Sequence, residues 1–203
     1  MSKHIFGWIL ALAAMTLLPG CETMSPQECQ TANWNDVGMR DGLNGQRMSM
    51  LDDRVKDCAK VGAQVDTRAY VNGRERGLQS FCRLENAVPM GLNGTSYNGV
   101  CPGHIDLEFR RRHGIAYAVY ALRSQISDLD GRSRRLERKL HEADKDEDKQ
   151  LKASEKEDDR KRIRNQFDDK RRQLRRELGD SDRAMRNVRQ DLRAAEYSLD
   201  SLR

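Results

Sequence analysis

Large side chains are scarce in this chain of 203 residues, which has two tryptophans, four phenylalanines and five tyrosines. With 34% of its residues charged, it cannot fill a large globular core, and long solvated helices are the expected outcome. Long apolar runs are also missing. The only one, residues 5–18, falls short of the ~20 residues that a membrane-spanning helix needs. The chain has no G-x-S-x-G nucleophile elbow, no P-loop and no H-E-x-x-H, so three common routes to hydrolysis are excluded. No C-x-x-C pair is present, so no metal and no cofactor is expected. Beyond the first residues the histidines are His104, His113 and His141, scattered singly. Asp41, Asp66 and Glu75 could supply carboxylates, but Asp66 reads as a helix cap, and catalysis is not expected.

The apolar run follows a basic start and ends in Leu18-Pro19-Gly20-Cys21. This arrangement resembles a bacterial lipoprotein signal, with a small residue before the cysteine and an aliphatic one two earlier; Pro19 departs from the usual small residue. The resemblance implies a signal peptide over residues 1–20, lipidation (including palmitate) at Cys21, and a tether over 21–28. More than one acyl chain on Cys21 would give stable anchoring. Glu22 leans towards the outer membrane, with the body facing the periplasm.

The other cysteines, Cys29, Cys58, Cys82 and Cys101, all precede Pro102. An even set in an oxidising compartment reads as two disulfides. Of the three connectivities, Cys29–Cys58 with Cys82–Cys101 keeps both loops local and is favoured. A domain of about 75 residues with few aromatics needs such staples.

Between Cys29 and Pro102 a glycine-rich phrase recurs. Trp34 leads to Gly38, Arg40, Asp41, Gly42 and Gly45; Tyr70 leads to Gly73, Arg74, Glu75, Gly77 and Phe81; a looser copy holds Gly91, Asn93, Gly94, Tyr97 and Asn98. Glycines four apart share one helix face and let two backbones approach. The Gly38/Gly42 helix is thus expected to cross the Gly73/Gly77 helix, packed around Trp34, Tyr70 and Phe81. Asp66 should cap the second of these helices, and Ser49 with Asp52 a short helix carrying Cys58, closed by Gly62. The rival use of bare backbone is a ligand groove rimmed by Arg40, Asp41, Arg74, Glu75, Asn93 and Asn98.

Beyond residue 104 the pattern turns to heptads. Ile115, Val119, Leu122, Ile126, Leu129, Leu136 and Leu140 alternate by four and three, with Ser133 in the seam; Ile163, Phe167, Leu174, Leu178, Met185, Val188, Leu192, Ala195, Leu199 and Leu202 resume it. The expectation is an antiparallel hairpin with a charged tip near 146–154 and a helix break at Gly179-Asp180-Ser181. A coiled coil between two chains is the rival. Acid-first pairs four apart, such as Asp158–Arg162 and Asp168–Arg172, would lace the surface. The net charge of +5 comes from this half, but acids are interleaved, and an exported chain would not meet nucleic acid.

Cys29, Trp34, Gly38, Arg40-Asp41-Gly42, Gly45, Cys58, Tyr70, Gly73, Gly77-Leu78, Cys82, Glu85-Asn86-Ala87, Gly91, Gly94, Tyr97 and Cys101-Pro102 together resemble the proteobacterial lipoprotein family known as domain of unknown function 2799. The resemblance implies an exported, cysteine-containing domain and no activity. The fold expected is mainly α: a disulfide-stapled, glycine-rich helical domain over 29–103, then a charged helical coiled-coil region over 104–203. The function expected is that of a non-enzymatic envelope lipoprotein, structural or adaptor-like through its Arg-rich arm. Its partners would be a lipid anchor and an envelope protein or peptidoglycan, with self-association through the coiled coil as a further option. Alternatives are a glycan- or peptide-binding module in the glycine-rich domain and, more weakly, a cell-wall-acting enzyme.

Overall fold

The computed structural model describes residues 23–202, all helices and connections, with no strand among the described residues. Cys21 and the signal segment lie outside the described residues. Among the described residues seven helices follow in order: α1 (Pro26–Thr31), α2 (Trp34–Leu43), α3 (Ser49–Ala59), α4 (Thr67–Phe81), α5 (Leu84–Leu92), α6 (Gly103–Ala153) and α7 (Glu157–Asp200). The chain is mainly α, as its composition predicts.

Polar caps start several of these helices. Ser25 and Glu28 form a reciprocal capping box on α1, with Pro26 at the first turn, where a missing N–H costs nothing. Asn33 accepts from the Asn35 and Asp36 amides at the start of α2, and Asp66 accepts from the Ala69 amide at 2.9 Å at the start of α4. Ser49 is not a cap: α3 begins with it, and Met48 precedes it without a side-chain bond. The end of α3 is closed at Gly62, whose φ of 69° suits a residue without a Cβ.

The compact body has two small cores. Cys29, Trp34, Val37, Leu51, Cys58 and Tyr70 fill the first, and Leu78, Cys82, Ala87, Cys101 and Phe109 the second. Phe81 is half-buried and packs on the second core, away from Trp34 and Tyr70. The disulfides Cys29–Cys58 and Cys82–Cys101 staple one core each. α2 packs on α4, α5 on the start of α6, and α6 on α7.

The last two helices, of 51 and 44 residues, form the expected antiparallel hairpin within one chain. The predicted break at Gly179-Asp180-Ser181 does not occur, and α7 is continuous through it. Ser181 is 2% exposed on the seam, where its Oγ lies 2.9 Å from Ser133 Oγ and 3.4 Å from the Leu129 carbonyl. Seam packing on both sides carries the helix over a glycine that costs only about 1 kcal/mol. The charged stretch stays helical to Ala153, because Ala143 and half-buried Glu147 continue the seam. At the turn Arg160 donates to the Leu151 and Ser154 carbonyls at the end of α6, where the Ser154 amide also reaches the Leu151 carbonyl.

Candidate functional site

The glycines of the first phrase are consumed by helix packing. A Cβ at Gly38 would collide with the Tyr70 carbonyl, at Gly42 with that of Arg74, at Gly73 with that of Asn35 and at Gly77 with that of Met39. α2 and α4 therefore touch backbone to backbone along both G-x-x-x-G faces. No gap remains between them for a ligand to meet that backbone.

The residues named as a groove rim go to different places. Asp41 is 5% exposed inside the body, where Arg54 holds it with two bonds, Nε at 2.9 Å and Nη2 at 2.8 Å, and the Tyr70 hydroxyl donates to it at 2.6 Å. Burial, together with its bond to this carboxylate, drives the Tyr70 phenol well above the usual tyrosine range. Arg74 donates to the Gln46 carbonyl at 2.7 Å, and its Nε is buried without a partner. Asn98 donates to the Gly45 carbonyl at 3.0 Å, and Asn93 ends α5 at the surface. Arg40 borders an open cleft of about 220 Å³ with Arg54, Glu28 and Asp36. Glu75 borders another, of about 520 Å³, with Leu78, Cys82, Pro102 and His104. The six do not converge.

Several organising residues escape a reading by composition. Arg54 shares a helix face with Leu51 and Cys58, at spacings of three and four, and that spacing was the available signal for a buried arginine. It also donates to the Thr23 carbonyl, while the Thr23 amide and hydroxyl donate to Asp57 at 2.7 and 2.9 Å. Lys60 and these Thr23 bonds hold the Asp57 carboxyl well below its usual range. Tyr97 donates to Asp106 at 2.5 Å and accepts from the Cys101 amide at 2.9 Å. Burial and the Asp106 bond push its phenol up to about 12. His113 is buried, with Nε2 2.7 Å from the Thr95 carbonyl; only an N–H there can make that contact.

The arm is laced differently. Arg123 reaches Glu196 at 2.7 Å across the two helices, and half-buried Arg171 on α7 grips Asp144 and Glu147 on α6 as well as Asp168 on its own helix. The surface pairs run one residue tighter than expected: Arg162 takes Asp159 rather than Asp158, and Arg172 takes Asp169 rather than Asp168. Among the described residues no group of histidine, cysteine, aspartate and glutamate could hold a metal ion, and no helix is long and apolar enough to cross a membrane.

Two disulfide-stapled, glycine-knit helix pairs with a charged helical arm define a small, all-helical protein domain with an appendage. Residues 33–118 match the model of the family described as protein of unknown function (DUF2799), and this segment is similar to that family. The match begins at the cap of α2 and ends within α6, so it spans both helix pairs and leaves the arm outside. No curated protein and no solved structure matches the chain.

Proposed function

We propose that this protein is a non-enzymatic lipoprotein of a bacterial cell envelope, lipidated at Cys21, whose α6–α7 arm engages another envelope component as a structural or adaptor element. The arm is the observation that carries this reading. Past Tyr120, α6 continues for roughly 50 Å with α7 folded back along it, at 1.5 Å per residue. Its outer faces are charged, and its inner seam is closed by its own second helix.

Two further features favour the proposal. Thr23 is clamped to α3 by Asp57 and Arg54, so the body would begin two residues from the lipidated cysteine and lie against the bilayer, with the arm as the element that reaches. The phrase glycines are spent on backbone contacts and Asp41 on an internal ion pair, which takes the leading candidates for ligand recognition and acid–base work out of reach.

In-cell photocrosslinking from exposed Gln150 and Gln173 on the arm tests the adaptor role. Capture of one envelope protein or of peptidoglycan from these positions, and not from Gln79 on the body, is the expected result. Equal capture from both, or from neither, contradicts it. The anchor is tested separately by fatty-acid labelling, which should be lost in Cys21→Ala.

A further inference from the structure

The two helix pairs are copies of one structural unit. A Cβ at Gly42 of α2 would meet the Arg74 carbonyl and the Leu78 amide of α4; a Cβ at Gly91 of α5 would meet the His113 carbonyl and the Tyr117 amide of α6. Gly45, at φ 61°, lies against the Phe81 ring, and Gly94, at φ 72°, against the Tyr120 ring. Arg74 bonds to the Gln46 carbonyl, and His113 to that of Thr95, each at 2.7 Å. The Gln46 amide returns to the Asp41 carbonyl at 2.9 Å, and the Thr95 amide to the Met90 carbonyl at 3.1 Å. Leu-Asn-Gly closes the first helix of both units, and each disulfide joins the segment ahead of the unit's first helix to the connection between its two helices.

Units of this kind bury an end face against the next unit. The end face of the first unit, Phe81 over Gly45, receives Tyr97 and Phe109 from the second, with ring centroids at 6.3 and 5.8 Å. Asn98 completes that contact through its bond to the Gly45 carbonyl. The corresponding face of the second unit is Tyr120 over Gly94, with Tyr117 at 5.8 Å beside it. No third unit follows, because α6 runs on into the arm. Tyr117 and Tyr120 are 36% and 39% exposed, and among the described residues no carboxamide bonds to the Gly94 carbonyl.

We infer that the Tyr117–Tyr120 face is a docking surface for a protein segment that presents an aromatic ring followed by a carboxamide, the chemistry that Tyr97-Asn98 supplies to the first unit. The inference rests on the repeat geometry alone and holds whether or not the chain is lipidated or the arm is an adaptor. Continuity with the first unit's interface specifies the occupant: the ring stacks on an exposed tyrosine, and the carboxamide N–H donates to the Gly94 carbonyl. A second copy of this chain is a poorer fit, because its own Tyr97 and Asn98 are engaged within its body.

The test uses the full chain in detergent micelles with isotope-labelled tyrosine rings. The probe is an acetylated peptide Thr-Ser-Tyr-Asn-Gly-Val-Ser, which is residues 95–101 with serine in place of Cys101. The expected result is a saturable shift of the Tyr117 and Tyr120 ring signals that is lost when the peptide's Tyr and Asn are both alanine. It should also be lost in Tyr117→Lys, a substitution at a ring that no glycine packs beneath, and retained in Tyr120→Phe. No shift, an equal shift with the alanine peptide, or the same shift with a chitin oligosaccharide overturns the inference. So does concentration-dependent self-association that occupies both rings.

Discussion

The α2–α4 crossing and the α6–α7 arm solve one problem in opposite ways. Both must hold helices together in a chain with few large side chains. In the crossing the side chains are deleted: Gly38, Gly42, Gly73 and Gly77 let two backbones meet, and a disulfide and a buried ion pair fix the result. In the arm the side chains are kept small in number but repeated over many turns, so that Val119, Leu136, Ala143, Phe167, Leu174 and Val188 each bury a modest area. The crossing should therefore fail at single positions, whereas the arm should yield gradually. That contrast bears on function, because a rigid body and a forgiving arm suit different tasks.

The contrast can be broken first at Arg54. Arg54→Met leaves the buried Asp41 carboxylate with only the Tyr70 hydroxyl, and loss of about 3–5 kcal/mol is expected in chemical denaturation. Arg171→Met in the arm should cost far less, since two of its three carboxylate partners, Asp144 and Asp168, are more than half exposed and screened by water. A comparable loss at both positions would erase the distinction.

Removing the staples comes next. Replacing Cys29 and Cys58, or Cys82 and Cys101, by serine pairs should cost about 3–4 kcal/mol each, by loop-closure entropy over separations of 29 and 19 residues. The arm's own melting, followed by a label near the tip, should move much less than that of the body. Within the arm, Ser181→Ala leaves Ser133 facing an apolar partner and should cost about 1 kcal/mol, while the Ser133→Ala/Ser181→Ala double variant should recover most of it.

The smallest effect is a pH window confined to the body. The phenol of Tyr97 is raised from its unfolded value near 10 to about 12, so the folded state favours its neutral form. Its contribution is complete below about pH 10 and is lost as pH rises through about 12. Tyr70, raised by burial and its Asp41 bond, acts in the same direction. Phenolate absorbance should show these two ionising late, together with loss of the body's fold, and Tyr97→Phe should remove part of that dependence.

Periodicity makes the arm legible in the sequence: the seam residues, the antiparallel return and Ser133 on the seam all follow from spacing. The glycine crossing was legible for a similar reason, since G-x-x-x-G is itself a period. The break at Gly179 was misread because local propensity was weighed without the packing on either side, which Ser181 joins rather than interrupts. Arg54, His113 and Tyr97 were harder, because each acts through particular polar partners that no repeat records, and only Arg54 left a spacing signal, beside Leu51 and Cys58. The second unit was half visible: its Leu92-Asn93-Gly94 matched the first phrase, but its second helix is built on Phe109, His113 and Ala116 where the first has Tyr70, Arg74 and Gly77, so the chemistry changed while the geometry did not.

One comparison tests the central claim most directly: the thermal stability of Gly73→Ala beside that of Gly179→Ala. At Gly73 a methyl group meets the Asn35 carbonyl and backbone of α2, which cannot move aside, and a loss of about 3 kcal/mol is predicted. At Gly179 the nearest atom is the flexible end of Arg183 at 3.7 Å, and a helix-interior alanine should raise stability by up to about 1 kcal/mol. Opposite signs are the predicted result; a loss at both positions, or at neither, would contradict the account.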